Sequence, residues 1–173
     1  MAKSAFSGMR DATRGYASNF LRQGRYVVRI DDVESFEDSK DARHWKNTLT
    51  ILAVDSGDHK VGETVHVQWK RGEYPKVFLG NIKGFMAGVM GASDDEVGEE
   101  EVEQLLKDKM FNGLVTVVTA TNAKSKNKKD EQGNPTEYTR YAWTPSMTSA
   151  EILEAIGEEA VARFFPNGLP EEK

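Results

Sequence analysis

The chain has 173 residues, no cysteine and a formal net charge of −5. Its length suits one domain with a sizeable core, and the absence of cysteine excludes disulfides and thiol chemistry. No stretch approaches the roughly 20 apolar residues of a membrane span, and the first residues lack the apolar run of a signal peptide. We therefore expect a cytoplasmic protein with no membrane association.

Three strands are predicted in the first half of the chain, after a polar arm over residues 1–24. The first, "GRYVVRIDDVESF", alternates apolar and mixed positions, and "HWKNTLTILAVD" follows after a polar link. "SGDHKVG" is a turn cluster, and "ETVHVQWKR" is the third strand, in which Val65, Val67 and Trp69 share one face.

The period becomes helical after Pro75. The segment "KVFLGNIKGFMAGVMG" carries apolar residues at helical spacing and a row of three glycines, Gly80, Gly84 and Gly88. Since glycine costs a helix interior about 1 kcal/mol relative to alanine, the row predicts that another backbone packs close along that face. Ser93 and Glu96 form a possible capping box for a second helix, "EEEVEQLLKDKM".

The second half of the chain predicts two more strands and a terminal helix. "FNGLVTVVTATN" is the fourth strand, "AKSKNKKDEQGNP" a long lysine-bearing loop, and "TEYTRYAWTP" the fifth strand. The terminal helix over 148–165 is capped by Thr148 or Ser149. This order predicts a mainly β fold with helical insertions: an OB-fold, in which a five-stranded antiparallel barrel has a helix between strands 3 and 4 and a C-terminal helix. A small antiparallel α+β sandwich is the alternative.

The predicted organisation is an N-terminal arm (1–24), an OB-fold nucleic-acid-binding domain (25–146), and a C-terminal helix with a short acidic tail (147–173). Residues 94–103 hold seven acids and no base, which we interpret as a solvated helix face. The sequence contains no HExxH, GxSxG or GxxxxGK[ST] motif. We therefore expect no enzymatic activity, no metal site and no cofactor.

Aromatic residues stand beside cations in three stretches, "RHWK", "WKRGEY" and "EYTRYAW". Unpaired bases stack on aromatic rings while Lys and Arg neutralise the phosphates, so this pairing is typical of single-stranded nucleic-acid binding. The candidates for base stacking are Trp45, Trp69, Tyr74 and Tyr138. The candidates for phosphate neutralisation are Arg43, Lys46, Lys70, Arg71, Lys124, Lys126, Lys128, Lys129 and Arg140.

Each candidate also has a purely structural interpretation. Trp45 and Trp69 share strand parity with apolar neighbours, so both could fill the core. In the fifth strand the bulkier set, with Tyr141 and Trp143, is expected to face inward, which leaves Tyr138 and Arg140 outside. The lysine loop could be an ordinary hairpin tip. With these interpretations the protein would be a non-enzymatic protein-interaction adaptor, of a replisome or a virion, on the same barrel.

The runs "GRYVVRIDDVE", "WKNTLTILAVDSGDHKVGETVHV", "FLGNIKGFMAGVMG", "FNGLVTVVTATN" and "YTRYAWTP" together resemble the OB-fold single-stranded-DNA-binding proteins of bacteriophages, over residues 20–146. The resemblance implies a protein of the host cytoplasm that coats single strands in DNA replication or recombination. It also implies homo-oligomeric or cooperative binding and contact with phage replication or recombination proteins. The end of the chain, "EEAVARFFPNGLPEEK", departs from the family's long acidic tail, and a packed helix is the plainer interpretation.

Overall fold

The computed structural model describes residues 20–72, 75–93 and 96–169, apart from the side chains of residues 126 and 127. These residues form five strands and three helices. In chain order they are β1 (Gly24–Glu37), β2 (Arg43–Gly57), β3 (Thr64–Lys70), α1 (Pro75–Met90), α2 (Glu99–Lys107), β4 (Val115–Lys129), β5 (Pro135–Trp143) and α3 (Ser149–Phe164).

All five strands belong to one curled antiparallel sheet with the order β3-β2-β1-β4-β5. The prediction of a mainly β fold with a helix between the third and fourth strands and another at the end is confirmed. The two edge strands, β3 and β5, meet through the rings of Trp69 and Tyr141, whose centroids are 6.3 Å apart. The sheet is therefore bent far enough for its edges to come together.

The meeting of the edges involves a large stagger. Followed through β2, Trp69 of β3 is in register with Ser35 of β1. Followed through β4, Tyr141 of β5 is in register with Gly24 of β1. These two positions are 11 residues apart on β1. A sheet that curls toward a barrel needs such a stagger, because its strands tilt relative to the barrel axis.

Helix α1 covers one end of the curled sheet. Phe85 is fully buried and contacts Trp45 and Trp143 edge to face, with ring centroids 6.2 and 4.7 Å away. The glycine row is explained at one position only: a Cβ at Gly88 would lie 2.8 Å from the carbonyl oxygen of Trp143, whereas at the other two glycines it would meet nothing within 4 Å. Gly88 therefore lets α1 approach β5.

The other two helices begin at caps that the sequence predicted in part. Thr148 caps α3: its hydroxyl accepts from the Glu151 amide at 3.2 Å, and the Glu151 carboxylate accepts from the Thr148 amide. The predicted capping box at Ser93 and Glu96 is wrong for α2, which begins at Glu99 after Gly98. There the carboxylate of Glu101 accepts from the Gly98 amide at 2.7 Å.

Helix α3 packs on the outer face of the sheet. Ile152 and Phe164 of the helix form a second buried cluster with Leu52 of β2 and Val115 of β4. The side chain of Arg29 donates a 2.5 Å hydrogen bond to the carbonyl oxygen of Phe164 and so ties the end of the helix to β1. The C-terminal helix is thus part of the same fold as the sheet.

Most of the predicted lysine-bearing loop instead extends strand β4, with an irregularity in the pairing between Lys124 and Lys129. Strand β4 continues to Lys129, β5 starts at Pro135, and the turn between them is closed by Asp130, whose carboxylate accepts from the amides of Gln132 and Asn134. We call residues 121–140 the β4–β5 arm. It extends past the start of β1, because β1 pairs with β4 only as far as Ala120.

A short N-terminal segment lies beside the free edge of β3. Phe20 forms a parallel bridge with His66, and Leu21, which is 1% exposed, donates its amide to the His66 carbonyl at 3.0 Å. We call residues 20–23 the strap. The folded part of the chain therefore reaches back at least to Phe20, into the segment predicted as an arm; residues 1–19 lie outside the described part.

Candidate functional site

A cavity of about 550 Å³ lies in the gap between the two edge strands of the sheet. We call it the edge cavity. Its wall combines the strap, Asp58 of the turn between β2 and β3, two residues each of β3 and β5, and one residue of β4. This volume is within the range of small-molecule sites. The lining residues are Phe20, Leu21, Arg22, Gln23, Asp58, Gln68, Trp69, Asn122, Thr139 and Tyr141.

The aromatic part of the wall is held in place by the strap. Trp69 is half-buried and packs against the main core, and its ring meets that of Tyr141 at an interplanar angle of 62°. The Tyr141 hydroxyl donates to the carbonyl oxygen of Leu21 at 3.1 Å. Burial disfavours the phenolate and raises the pKa of Tyr141 to about 12. The phenol is therefore a neutral hydrogen-bond donor at every physiological pH.

A series of hydrogen bonds leads from the turn between β1 and β2 to a residue that lines the cavity. Asp38 accepts from Nε2 of His44 at 2.8 Å, and the Nε2 of Gln68 lies 3.0 Å from Nδ1 of the same ring. The hydrogen bond from His44, with two backbone amides, lowers the pKa of Asp38 to about 2. Asp38, His44 and Gln68 are therefore joined in one continuous set of hydrogen bonds.

A buried histidine holds the strap in place through a hydrogen bond to its backbone. His59 is 3% exposed, and its Nε2 accepts from the backbone amide of Arg22 at 2.9 Å. Its Nδ1 donates to the Glu63 carboxylate at 2.6 Å, which lowers the pKa of Glu63. His59 therefore carries its proton on Nδ1, with both ring nitrogens satisfied, and sets the position of one cavity wall.

The two tryptophans predicted to stack on bases differ in exposure, although they are direct partners across β2 and β3. Trp45 is 1% exposed, lies against Phe85 of α1, and donates its indole N–H to the buried Asn47 side chain at 3.0 Å. The prediction that Trp45 stacks on a base is therefore wrong, because both its faces are enclosed by the core. Trp69 lines the edge cavity and remains a candidate.

Cations predicted at the start of β2 and the end of β3 come together at one end of the sheet. The Arg71 amide donates to the Arg43 carbonyl at 2.8 Å, and Lys70 pairs with His44. The side chains of Lys70 and Arg71 are exposed, while that of Arg43 is partly neutralised by an ion pair with Glu37 at 2.9 Å. Two exposed cations therefore directly follow Trp69 in the chain.

The cation Lys46 points to the outer face of β2 and is half-buried. Its neighbour on that face is His66. Burial, together with the positive charge of Lys46, lowers the pKa of His66. Lys46 therefore lies on the opposite face of the sheet from the Trp69 ring. Its role as a phosphate ligand stays a prediction.

The remaining candidates lie on the β4–β5 arm. Lys124, Lys128 and Lys129 are exposed, and Lys126 belongs to the same strand. Tyr138 is 41% exposed, and the guanidinium of Arg140 lies 5.4 Å from its ring centroid and donates to its hydroxyl at 2.7 Å. The inward orientation predicted for Tyr141 and Trp143, and the outward one for Tyr138 and Arg140, is confirmed. Tyr74 lies outside the described residues.

Sequence reasoning missed the polar lining of the edge cavity. Gln68, Asn122 and Thr139 were not singled out, nor was the strap. Thr139 donates to the carboxamide oxygen of Asn122 at 3.3 Å, and the two residues are direct partners across β4 and β5. Strand parity alone placed Thr139 on the inner face with Tyr141, and nothing in the sequence indicated that β3 would stand opposite them.

Within residues 20–72, 75–93 and 96–169, no group of three or more His, Asp or Glu side chains is arranged to hold a metal ion. The same residues include no helix of the length and apolar character needed to cross a bilayer. A comparison with protein-family models and with curated proteins found no match to this chain.

Proposed function

We propose that this protein is a single-stranded-DNA-binding protein built on an OB-type barrel, and that it coats and protects single strands in phage DNA replication or recombination. Binding requires no particular sequence and no catalysis. Bases stack on exposed aromatic rings while lysines and arginines neutralise phosphates. The resemblance to phage proteins supports the biological setting, and the geometry of the sheet edges supports the chemistry.

The OB-type assignment is supported by strand order and stagger. In an OB-fold the sheet is a partly open five-stranded barrel that binds oligonucleotides across strands 2 and 3 and between the loops that join strands 1–2 and 4–5. Here the order β3-β2-β1-β4-β5 leaves one seam, between β3 and β5, and helix α1 lies between β3 and β4 in the chain. The stagger of 11 residues across that seam is consistent with a tilted barrel.

One observation carries the proposal: the half-buried Trp69 lines a cavity at the seam and is followed in the chain by two exposed cations, Lys70 and Arg71. Trp69 is only partly buried, so the part of its ring that lines the cavity is available to a base. Stacking of a base on an aromatic side chain contributes roughly 1–3 kcal/mol. The exposed lysines of the β4–β5 arm add charge on the other side of the seam.

The charge distribution favours a nucleic acid despite the net charge of −5. The exposed acids of the first turn of α2, Glu99 to Glu101, belong to a different element from the lysines of the arm. Salt limits the reach of surface charges to about 10 Å, so the charges next to a bound polyanion matter more than the net charge of the chain. A polyanion can therefore bind the arm and the end of β3.

Fluorescence titration tests the proposal. Addition of oligo-dT is expected to quench tryptophan fluorescence, because Trp69 would stack on a base. The logarithm of the association constant should fall with the logarithm of salt concentration by about 0.7 for each phosphate neutralised. Duplex DNA of the same length is the control and should bind more weakly, since its base faces are hidden. A folded protein with neither quenching nor salt-dependent binding would favour the adaptor function instead.

A further inference from the structure

The strap is bound to the rest of the fold by a hydrogen bond that depends on the protonation of one side chain. The backbone amide of Arg22 donates to Nε2 of His59 at 2.9 Å, and the imidazole is buried. A backbone amide can only donate, so this ring nitrogen has to be unprotonated. The hydrogen bond therefore exists only while His59 is neutral.

The other contacts of the His59 ring are compatible with a positive charge. Its Nδ1 donates to the Glu63 carboxylate at 2.6 Å, and a carboxylate beside an imidazole favours the protonated ring. The hydrogen bond from His59 in turn lowers the pKa of Glu63. The charged or titratable groups around the ring belong to its own turn, the strap and β1: Asp58, Lys60, Glu63, Arg22 and Tyr26. Protonation of His59 therefore conflicts with the hydrogen bond from the Arg22 amide.

The residue next to Arg22 connects the two edge strands. Leu21 donates its amide to the His66 carbonyl of β3 at 3.0 Å, and its own carbonyl accepts from the Tyr141 hydroxyl of β5 at 3.1 Å. The four residues of the strap all line the edge cavity. A displacement of the Arg22 amide therefore acts on the segment that spans the seam and forms one wall of the proposed binding site.

We infer that His59 is a pH-sensitive anchor for the strap: when it takes up a proton, the hydrogen bond from Arg22 breaks and the strap loosens from the edge cavity. An imidazolium carries N–H groups on both ring nitrogens and offers no acceptor. The consequence for binding rests on the proposed function, because a site with a loosened wall is less preorganised and binds a strand more weakly. His59 is thus a positioning residue that regulates the site.

Nuclear magnetic resonance of the wild type without DNA tests the anchor directly. A long-range proton–nitrogen spectrum reports the protonation of each ring nitrogen, and amide hydrogen exchange reports the strap. Between about pH 8 and about pH 5.5, a range in which histidines titrate, we expect Nε2 of His59 to gain a proton. The protection factors of Leu21 and Arg22 should fall with the same midpoint, by roughly two- to tenfold for the loss of one hydrogen bond.

Two results of this experiment would contradict the inference: a His59 that stays neutral over the whole range, and strap amides that keep their protection while His59 is protonated. His59→Gln supplies an acceptor that does not titrate, since a carboxamide oxygen can accept from the Arg22 amide. Its strap protection is expected to be independent of pH. His66→Gln is the matched control, because that side chain lies beside Thr48 on the outer face; its strap should respond as in the wild type.

Oligo-dT affinity measured over the same pH range tests the effect on binding. His44 and His66 are present in both the wild type and His59→Gln, so their titration cancels in the ratio of the two affinities. We expect a ratio near one at about pH 8, and tighter binding by His59→Gln, roughly two- to tenfold, at about pH 5.5. A ratio that does not change with pH would overturn the regulation. Failure of the folded wild type to bind any oligonucleotide would overturn the proposed function, whereas the strap experiment without DNA would still decide the anchor.

Discussion

Trp69 and Tyr141 lie on the two edge strands of one sheet, yet their rings meet edge to face with centroids 6.3 Å apart. This contact closes the inner side of the seam between β3 and β5, and the strap completes it through the hydrogen bond from Tyr141 to Leu21. The edge cavity exists because these side-chain contacts hold β3 and β5 close together although the two strands do not pair with each other. The proposed binding site is a consequence of this incomplete closure.

Replacement of the two tryptophans should separate binding from stability. Trp69→Ala is expected to weaken oligonucleotide binding by roughly 1–3 kcal/mol, the contribution of one stacked base. Trp45→Ala should leave a large void beside Phe85 and lower the free energy of unfolding by roughly 3–5 kcal/mol. Fluorescence anisotropy of a labelled oligonucleotide and urea denaturation measure the two effects. Equal loss of affinity in both folded variants would contradict a specific role for Trp69.

The lysines of the β4–β5 arm should determine part of the salt dependence. Replacement of Lys124, Lys128 and Lys129 by glutamine is expected to reduce the slope of log K against log salt by about 2, since each neutralised phosphate contributes about 0.7. Measurement of oligo-dT affinity at several salt concentrations gives the slope.

The control for the arm is a pair of exposed lysines at the end of α2. Lys107→Gln and Lys109→Asn remove charge at a different element; asparagine suits the second position, where φ is 53°. These changes should leave the slope as in the wild type. An arm variant with an unaltered slope would show that the arm does not contact the strand.

Two glycines of α1 should respond in opposite directions to the same substitution. Gly88→Ala would place a Cβ 2.8 Å from the Trp143 carbonyl oxygen, and we expect a loss of roughly 1–3 kcal/mol, as for other overpacked sites. Gly84→Ala meets nothing within 4 Å and should stabilise the helix by about 0.5–1 kcal/mol. Thermal and urea denaturation compare them. A neutral Gly88→Ala would mean that α1 and β5 are not in close contact.

The buried phenol at the seam predicts a dependence of stability on alkaline pH. The pKa of Tyr141 is raised from 10.0 to about 12 by burial. Between these values the unfolded chain loses the proton while the folded chain retains it, so this contribution to stability is complete below pH 10 and declines as pH rises toward 12.

Tyr141→Phe should remove this contribution and, at neutral pH, lower the free energy of unfolding by about 1 kcal/mol through the lost hydrogen bond. Absorbance of the phenolate during alkaline titration reports the ionisation, and denaturation at each pH reports the stability. Tyr138→Phe, at an exposed position, is the matched control. A folded-state ionisation of Tyr141 near pH 10 would contradict its burial.

Much of the local structure could be predicted from the sequence, because alternation and capping act over a few neighbouring residues. The period-two pattern of Val65 and Val67 predicted the inner face of β3, and Thr148 with Glu151 closes the cap at the start of α3. The lysine-rich segment was misassigned as a loop. Its polar composition resembles a loop, but pairing of Lys124 with Glu137 and of Lys129 with Pro135 continues the strands through an irregular stretch.

The sequence by itself determined which side chains share a face of each strand, since successive residues of a strand point to opposite sides of the sheet. It did not separate Trp45 from Trp69, which have the same parity and are paired across two strands. The tertiary structure made that distinction: Trp45 lies on a strand with neighbours on both sides beneath Phe85, and Trp69 lies on an edge strand at the seam. Exposure depends on where a strand stands in the sheet and on what covers it, and both are set by contacts between residues distant in the chain.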